Sequence, residues 1–350
     1  MHETVRVLIV DDSAYMRVVL KDMLESDKSV RVTGAAKDGL EAIELAKSLG
    51  PDVILLDIQM PKMDGIATLQ RIMKEAPTRV VMLSAMDKVD DQLPLRALEM
   101  GAVDFISKPS GPISIDIVHF KDKIISVIKN VADARVEALK NARAPLPMKL
   151  AVVRKGAAKA RSIIAIAAST GGPRALEMLF AALPRDMPTS FLIVQHLPEG
   201  FAESFVKRLD SANGPHVVLA ENGQRVENGV AYLAPSGRHL KLAWRGESYL
   251  VIKLEKGRPV NFVMPSADVM FKSAAECVGE NVLAVVLTGM GSDGSEGAKA
   301  VKNAGGKVFV QDEQSAVAFS MPRSVIETGV ADKILPLEVI PKKIIDFLEE

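Results

Sequence analysis

Cysteine is nearly absent. Cys277 stands alone, so neither an intramolecular disulfide nor a cysteine-rich zinc site can form. Its surroundings, Ala274-Ala275-Glu276-Cys277-Val278, predict a buried, inert thiol. Net charge is missing too: 44 Lys+Arg balance 44 Asp+Glu over 350 residues, 44 − 44 = 0. A neutral chain has no global attraction to DNA, RNA or an anionic membrane, which leaves only local patches to consider. No run approaches the roughly 18 consecutive apolar residues that a membrane helix needs. Met1-His2-Glu3-Thr4-Val5 lacks the basic and apolar regions of a secretory signal. The expectation is a soluble, cytoplasmic protein that neither inserts into a membrane nor takes nucleic acid as a partner.

What the chain does have is an ordinary globular balance, 48% hydrophobic and 25% charged, which excludes wholesale disorder. Its length suggests about two domains. Residues 5–128 alternate apolar runs (Val5–Val10, Val30–Ala35, Val53–Leu56, Val80–Leu83, Val103–Ile106) with amphipathic segments. Five strands alternating with helices predict one parallel, doubly wound sheet. From Lys140 to Arg161 there are seven Lys+Arg and no acid, with Pro145 and Pro147 among alanines. That composition predicts a solvated interdomain linker. A second α/β series starts at Ser162, with strands expected at Ile163–Ala168, Phe191–Val194, Val217–Leu219, Val230–Leu233, Tyr249–Ile252, Val282–Leu287 and Lys307–Val310. Helices are expected at Arg174–Leu183, Phe201–Asp210, Ala267–Cys277 and Ser295–Asn303, and Gly223–Leu254 reads as an antiparallel insertion. The domains are therefore drawn at 1–125, 126–160 (a helical and basic linker) and 161–350.

Acids end the strands of the first series: Asp11 and Asp12 after the first, Asp57 after the third. In a doubly wound sheet these ends share one rim, where ligands bind. Three carboxylates there repel one another unless a hard cation such as Mg²⁺ neutralises them. Ser84 and Lys108 end two further strands. A hydroxyl, an ammonium and a metal around one carboxylate are what the oxygens of an aspartyl phosphate require. A structural acid cluster or a simple Mg²⁺ site is the plainer alternative.

Asp11-Asp12-Ser13, Asp57 through Gly65, Ser84-Ala85 and Lys108-Pro109 together resemble the receiver domain of two-component response regulators, over about residues 4–125. The resemblance implies a flavodoxin-like fold with Asp57 as phosphoacceptor. It implies Mg²⁺ on Asp12, Asp57 and the Gln59 carbonyl, with Asp11 acting through water. Lys108 would contact the phosphoryl group, Ser84 and Phe105 would form a switch pair, and a chemotaxis histidine kinase would be the phosphodonor.

In the second series, Ile163–Ala168 ends in Ser169-Thr170-Gly171-Gly172-Pro173, and a helix follows. Alone, Ser169 reads as that helix's N-cap. His196 follows Phe191–Gln195, and Asp293 lies in Thr288-Gly289-Met290-Gly291-Ser292-Asp293-Gly294 after Val282–Leu287. Three strand ends thus offer a hydroxyl, an imidazole and a carboxylate, the ingredients of a triad defined by roles. The same loop matches a Gly-x-Gly-x-x-Gly dinucleotide fingerprint, but Asp293 inside it would repel a pyrophosphate.

Ala168–Pro173, Gln195-His196, Tyr232–Pro235, Arg238–Leu240, Pro265–Asp268, Leu287–Gly294 and Phe319–Pro322 resemble the catalytic domain of chemotaxis protein-glutamate methylesterases, over about residues 160–348. One departure is Asn261-Phe262-Val263-Met264, where many members of that family have basic residues. The resemblance implies a doubly wound α/β hydrolytic domain with a mainly parallel sheet. It implies a serine ester hydrolase without a cofactor, acting on glutamate γ-methyl esters of methyl-accepting chemoreceptors and also deamidating glutamines. Ser169, His196 and Asp293 would be catalytic, with the Met290 N–H in the oxyanion hole. The receiver would dock over the active-site rim at rest and release it on phosphorylation. Two other classes remain open: a phosphorylation-controlled receptor-binding module without turnover, and a DNA-binding regulator, which would need a basic helix-turn-helix output.

Overall fold

The computed structural model describes residues 4–85, 93–108, 116–132 and 162–350. The chain divides into two units, Met1–Ala144 and Pro145–Glu350. In the first, strands β1 (Val5–Val10), β2 (Val30–Ala36), β3 (Val53–Asp57), β4 (Arg79–Ala85) and β5 (Asp104–Lys108) alternate with helices α1 (Ala14–Glu25), α2 (Gly39–Leu49), α3 (Gly65–Glu75), α4 (Leu93–Glu99) and α5 (Asp116–Ala132). The order β2-β1-β3-β4-β5, parallel at every pairing, is the doubly wound sheet that the alternation predicts. Val7–Val10 and Val53–Leu56 are buried on both faces, which is why these strands read as unbroken apolar runs. Each of the first three helices starts at a side-chain cap: Ser13 accepts from the Met16 N–H, Asp38 from Glu41 and Asp64 from Ala67. Helix α5 runs to Ala132 with Ile128 and Val131 buried, so the boundary drawn at 125 falls inside it. The rest of the segment read as a linker, residues 133–161, lies outside the described residues.

The second unit holds β6 (Ile163–Ala168), β7 (Ser190–Gln195), β8 (His216–Leu219), β9 (Val230–Leu233), β12 (Val282–Val286), β13 (Lys307–Gln311) and β14 (Lys333–Leu335) in the order β14-β13-β12-β6-β7-β9-β8. All six pairings are parallel. Its helices are α6 (Gly172–Ala182), α7 (Ala202–Asp210), α8 (Ala267–Val278), α9 (Ser295–Asn303), α10 (Ser320–Glu327) and α11 (Ile340–Glu349). From β6 the chain builds outward through β7 to β8 and β9, then returns to lay β12 on the other side of β6. The strand order therefore reverses between β6 and β12, the place where open α/β sheets bind ligands.

Gly223–Leu254 is only partly the antiparallel insertion expected from sequence. β9 belongs to the parallel sheet, while β10 (His239–Arg245) and β11 (Tyr249–Glu255) form a separate antiparallel hairpin. Helix α8 packs against that hairpin and β6. The Ser273 hydroxyl accepts from the Leu242 N–H (3.0 Å), and the Trp244 indole donates to the Cys277 carbonyl (3.0 Å). Cys277 itself is half-buried, and burial followed by the nearby Glu276 charge raises its thiol pKa, consistent with an unreactive group.

Candidate functional site

In the first unit the rim forms at the β1/β3 reversal. Asp11 and Asp57 are buried, Asp12 is exposed, and carboxylate oxygens of all three lie within 4.8 Å of one another. Lys108, at the end of β5, reaches Asp11 and Asp57 equally, at 2.8 Å each. One ammonium against three carboxylates leaves an excess of negative charge. Burial pushes the Asp57 carboxyl above its ordinary range, with Asp11 adding to the rise against the pull of Lys108. Burial by itself would lower the pKa of Lys108, but the two aspartates hold it above the ordinary value. This donor set of hard oxygens with surplus negative charge fits Mg²⁺, which would remove the repulsion. Asp12 and Gln59 also border a cleft of about 510 Å³, open to an incoming donor.

Ser84 is fully buried, and its hydroxyl has no hydrogen-bond partner among the described residues. An orphaned donor at this strand end suits a phosphoryl oxygen. Phe105 lies buried on β5. Gly65, at the start of α3, is required by close approach: a Cβ there would collide with the Asp57 carbonyl oxygen. The glycine thus lets a helix begin directly behind the acid.

In the second unit, Ser169, His196 and Asp293 follow β6, β7 and β12, three neighbouring parallel strands. Hydrogen bonds lace their loops together. The Ser169 N–H donates to the Thr288 carbonyl (3.0 Å) and the His196 N–H to the Ala168 carbonyl (3.1 Å). The buried Gln195 amide donates to the carbonyls of both Ser169 (2.9 Å) and His196 (3.1 Å). Ser169 does not cap the following helix: Gly171 takes the N-cap position at φ 75°, leaving the half-buried serine hydroxyl for other use. His196 Nε2 lies 3.0 Å from Asp293 Oδ2. Among the described residues no hydrogen bond joins the Ser169 hydroxyl to His196. Such contacts commonly tighten only when substrate is bound.

Asp293 is 2% exposed yet ionised. Burial pushes its carboxyl up, but the imidazole of His196, the Ser266 hydroxyl (2.6 Å) and the Ala267 N–H (2.6 Å) hold it below the usual range. The Asp268 N–H (3.2 Å) adds a further donor, so the carboxylate sits on the N-terminus of α8, where free amides and the helix dipole favour an anion. Asp268 returns the arrangement by accepting from the Gly297 N–H of α9 (2.6 Å). Burial raises the Asp268 pKa, with the Asp293 charge adding to it. Each of two adjacent helices is thus capped by an acid from the other's N-terminal region.

Ser266 and Asp268 lie in a motif that sequence reading noticed but gave no role. Their positions 25–27 residues from Asp293 carried no signal of contact. Ser266→Ala, which removes one donor to a buried carboxylate, should destabilise the second unit by about 1–3 kcal/mol. Urea unfolding followed by Trp244 fluorescence would measure it, and an unchanged midpoint would show that the hydroxyl is dispensable.

The glycine loop leaves the Met290 amide free between two that are engaged. The Gly289 N–H donates to the Ala318 carbonyl (2.9 Å) and the Gly291 N–H to the Ser320 hydroxyl (3.2 Å). Between them, the Met290 N–H has no partner among the described residues. The Thr288 hydroxyl braces this loop by donating to the Thr170 carbonyl (2.9 Å) and accepting from the Ala318 N–H (2.9 Å).

Residues 164–344 match the family described as CheB methylesterase, and residues 7–117 match the response regulator receiver domain. A protein-glutamate methylesterase/protein-glutamine glutaminase of Pyrococcus abyssi is 44% identical over 346 residues, covering 99% of this chain and 94% of that one. Its namesake in Thermotoga maritima is 43% identical and covers 98% of each chain. The crystal structure of the Thermotoga maritima CheB methylesterase catalytic domain superposes with a TM-score of 0.53 at 42% identity, over 54% of this chain and 99% of that one.

Proposed function

This chain belongs to the CheB methylesterase family, with a receiver domain ahead of the catalytic one, and from that premise we propose how its residues perform ester hydrolysis and how they are controlled. The protein is a hydrolase, a protein-glutamate methylesterase of chemotaxis, acting on glutamate γ-methyl esters. The same site would deamidate glutamines, releasing ammonia in place of methanol. The observation that carries the catalytic assignment is the His196–Asp293 hydrogen bond beside Ser169, at the strand-order reversal.

Asp293 is ionised and can only accept, so His196 carries its proton on Nε2 and keeps the Nδ1 lone pair. Ser169 Oγ attacks the ester carbonyl carbon while Nδ1 takes its proton. The Met290 N–H donates to the oxygen that becomes negative. Collapse breaks the bond to the methoxy oxygen, which leaves as methanol with the proton from Nδ1. Water, deprotonated by Nδ1, then attacks the acyl-serine, releasing the glutamate carboxylate and restoring Ser169. Asp293 stabilises the imidazolium in both halves.

Asp57 is the phosphoacceptor in this reading, with a chemotaxis histidine kinase as donor and methyl-accepting chemoreceptors as substrate, in the cytoplasm. No helix among the described residues is long and apolar enough to cross a membrane. Asp12, Asp57 and the Gln59 carbonyl would hold Mg²⁺, with Asp11 acting through water. The metal supplies charge neutralisation during phosphoryl transfer. Lys108 and the orphaned Ser84 hydroxyl would bind phosphoryl oxygens, and Phe105 would follow Ser84. The division into receiver, linker and catalytic domain is proposed with helix α5 kept whole in the receiver rather than cut at 125.

Methanol release from methylated receptor membranes tests the enzymatic reading, because a receptor-binding module without turnover would release none. With a small phosphodonor and Mg²⁺, the wild-type rate should rise several-fold over rest. Asp57→Asn should remain at the resting rate. Equal stimulation of that variant would remove Asp57 from the control of activity.

A further inference from the structure

Asn261 and Phe262 are the central residues of a two-residue hairpin turn. The Val260 N–H donates to the Val263 carbonyl (3.1 Å) and the Val263 N–H to the Val260 carbonyl (3.0 Å). Both central residues have positive φ, 52° and 64°. This is the type I′ pattern, whose second position favours glycine because a Cβ crowds the following carbonyl. Phenylalanine stands there instead, and its side chain is fully exposed to water. A large apolar ring in water, on a backbone it disfavours, contributes nothing to the fold.

Its neighbour shows why the turn sits where it does. The Asn261 amide reaches inward, donating to Asp268 Oδ2 (2.7 Å) and to Asp293 Oδ1 (3.4 Å). The turn is therefore pinned to the acid that holds His196. The Gly237 N–H donates to the Met264 carbonyl (3.1 Å), and the Ser236 hydroxyl to the carbonyl of Leu197, which follows His196 (3.1 Å). Turn and histidine loop thus belong to one connected rim, on which Leu197, Val263, Met264 and Met290 are all partly exposed. These apolar side chains, with Glu199 and Arg238 exposed on the flanking loops, offer an apolar contact to the substrate.

We infer that Phe262 is a substrate-docking residue: its ring packs on an apolar side chain of the protein substrate, beside the glutamate whose methyl ester is cleaved. The inference rests on the methylesterase reading above. A methyl ester is small and neutral, so the triad by itself cannot supply affinity for a protein surface. An aromatic anchor held on a rigid turn can, because little motion is lost when it docks.

Phe262→Gly in the full-length protein tests this. Glycine accepts the positive φ and removes only exposed atoms, so the thermal midpoint should be equal or higher. For methylated receptor, KM should rise about tenfold with kcat unchanged, as expected for loss of one buried aromatic contact. Phe262→Trp should keep KM near wild type, and hydrolysis of a small soluble ester, p-nitrophenyl acetate, should be unaffected by either change. An unchanged receptor KM in Phe262→Gly would overturn the inference, as would an equal loss on the small ester. If the wild-type protein released no methanol at all, the methylesterase reading would fall and this inference with it.

Discussion

Ser169→Ala should lower methanol release from methylated receptors by about four orders of magnitude or more, because removing the nucleophile of a triad disables the unit as a whole. Phosphorylation of Asp57 should proceed unchanged, since that carboxylate belongs to the other unit and its partners are Lys108 and the Gln59 N–H. The loss arises in chemistry, not in folding. The Ser169 hydroxyl is not the cap of α6, and both backbone groups that tie the residue down, its N–H to Thr288 and its carbonyl to Gly172 and Gln195, survive in alanine. The variant should therefore bind methylated receptor without releasing methanol. Combining it with His196→Ala should add little further loss, because the two residues act in the same steps. Wild-type turnover in Ser169→Ala would remove the serine from the mechanism.

Asp293→Asn is expected to cost about 10⁴-fold in kcat through loss of the imidazole orientation and of the charge opposite the imidazolium. It should also weaken the fold. The carboxylate accepts from Ser266, Ala267, Asp268 and His196, and an amide group in its place turns an NH₂ toward some of those donors. A destabilisation of about 2–4 kcal/mol is expected at neutral pH. The pH dependence comes from the sign of the shift. Asp293's folded pKa lies below its unfolded value, so its contribution is complete above the unfolded value of about 3.9 and is lost as pH falls through the folded one. The gap between wild type and variant should thus be constant from about pH 5 to 8 and narrow only below about pH 4. Denaturant unfolding at pH 7 and pH 3.5 measures both points. A gap that widened on acidification would contradict the hydrogen-bond account of the lowered pKa.

The two α/β series were legible because their strands are buried on both faces and so read as unbroken apolar runs. Val5–Val10, Val53–Asp57, Ile163–Ala168 and Val282–Val286 all lie where that pattern puts them. Strands with mixed faces were harder. His239–Arg245 alternates apolar with basic residues and lies in a hairpin outside the main sheet, and Lys333–Leu335 is a three-residue edge. Helices α10 and α11 were missed as well.

The chemistry-bearing residues were legible for a related reason. In a parallel sheet, the residues just past each strand's carboxyl end reach a common rim. Asp11, Asp12, Asp57, Ser84 and Lys108 on one sheet, and Ser169, His196 and Asp293 on the other, therefore announce themselves by position. Sequence could not reveal how the acid at 293 is kept charged in the interior. That depends on the N-terminus of α8 meeting the loop after β12, on Ser266, Ala267 and Asp268 turning their donors toward one carboxylate, and on Asp268 capping α9 in exchange. The free amide at Met290 and the outward Phe262 beside the inward Asn261 were equally invisible. Local sequence determined which groups reach the rim, because strand period and burial act over a few residues. Only tertiary packing decided which donors face which acceptors, because hydrogen bonds between segments 25 to 30 residues apart leave no periodic trace in the chain.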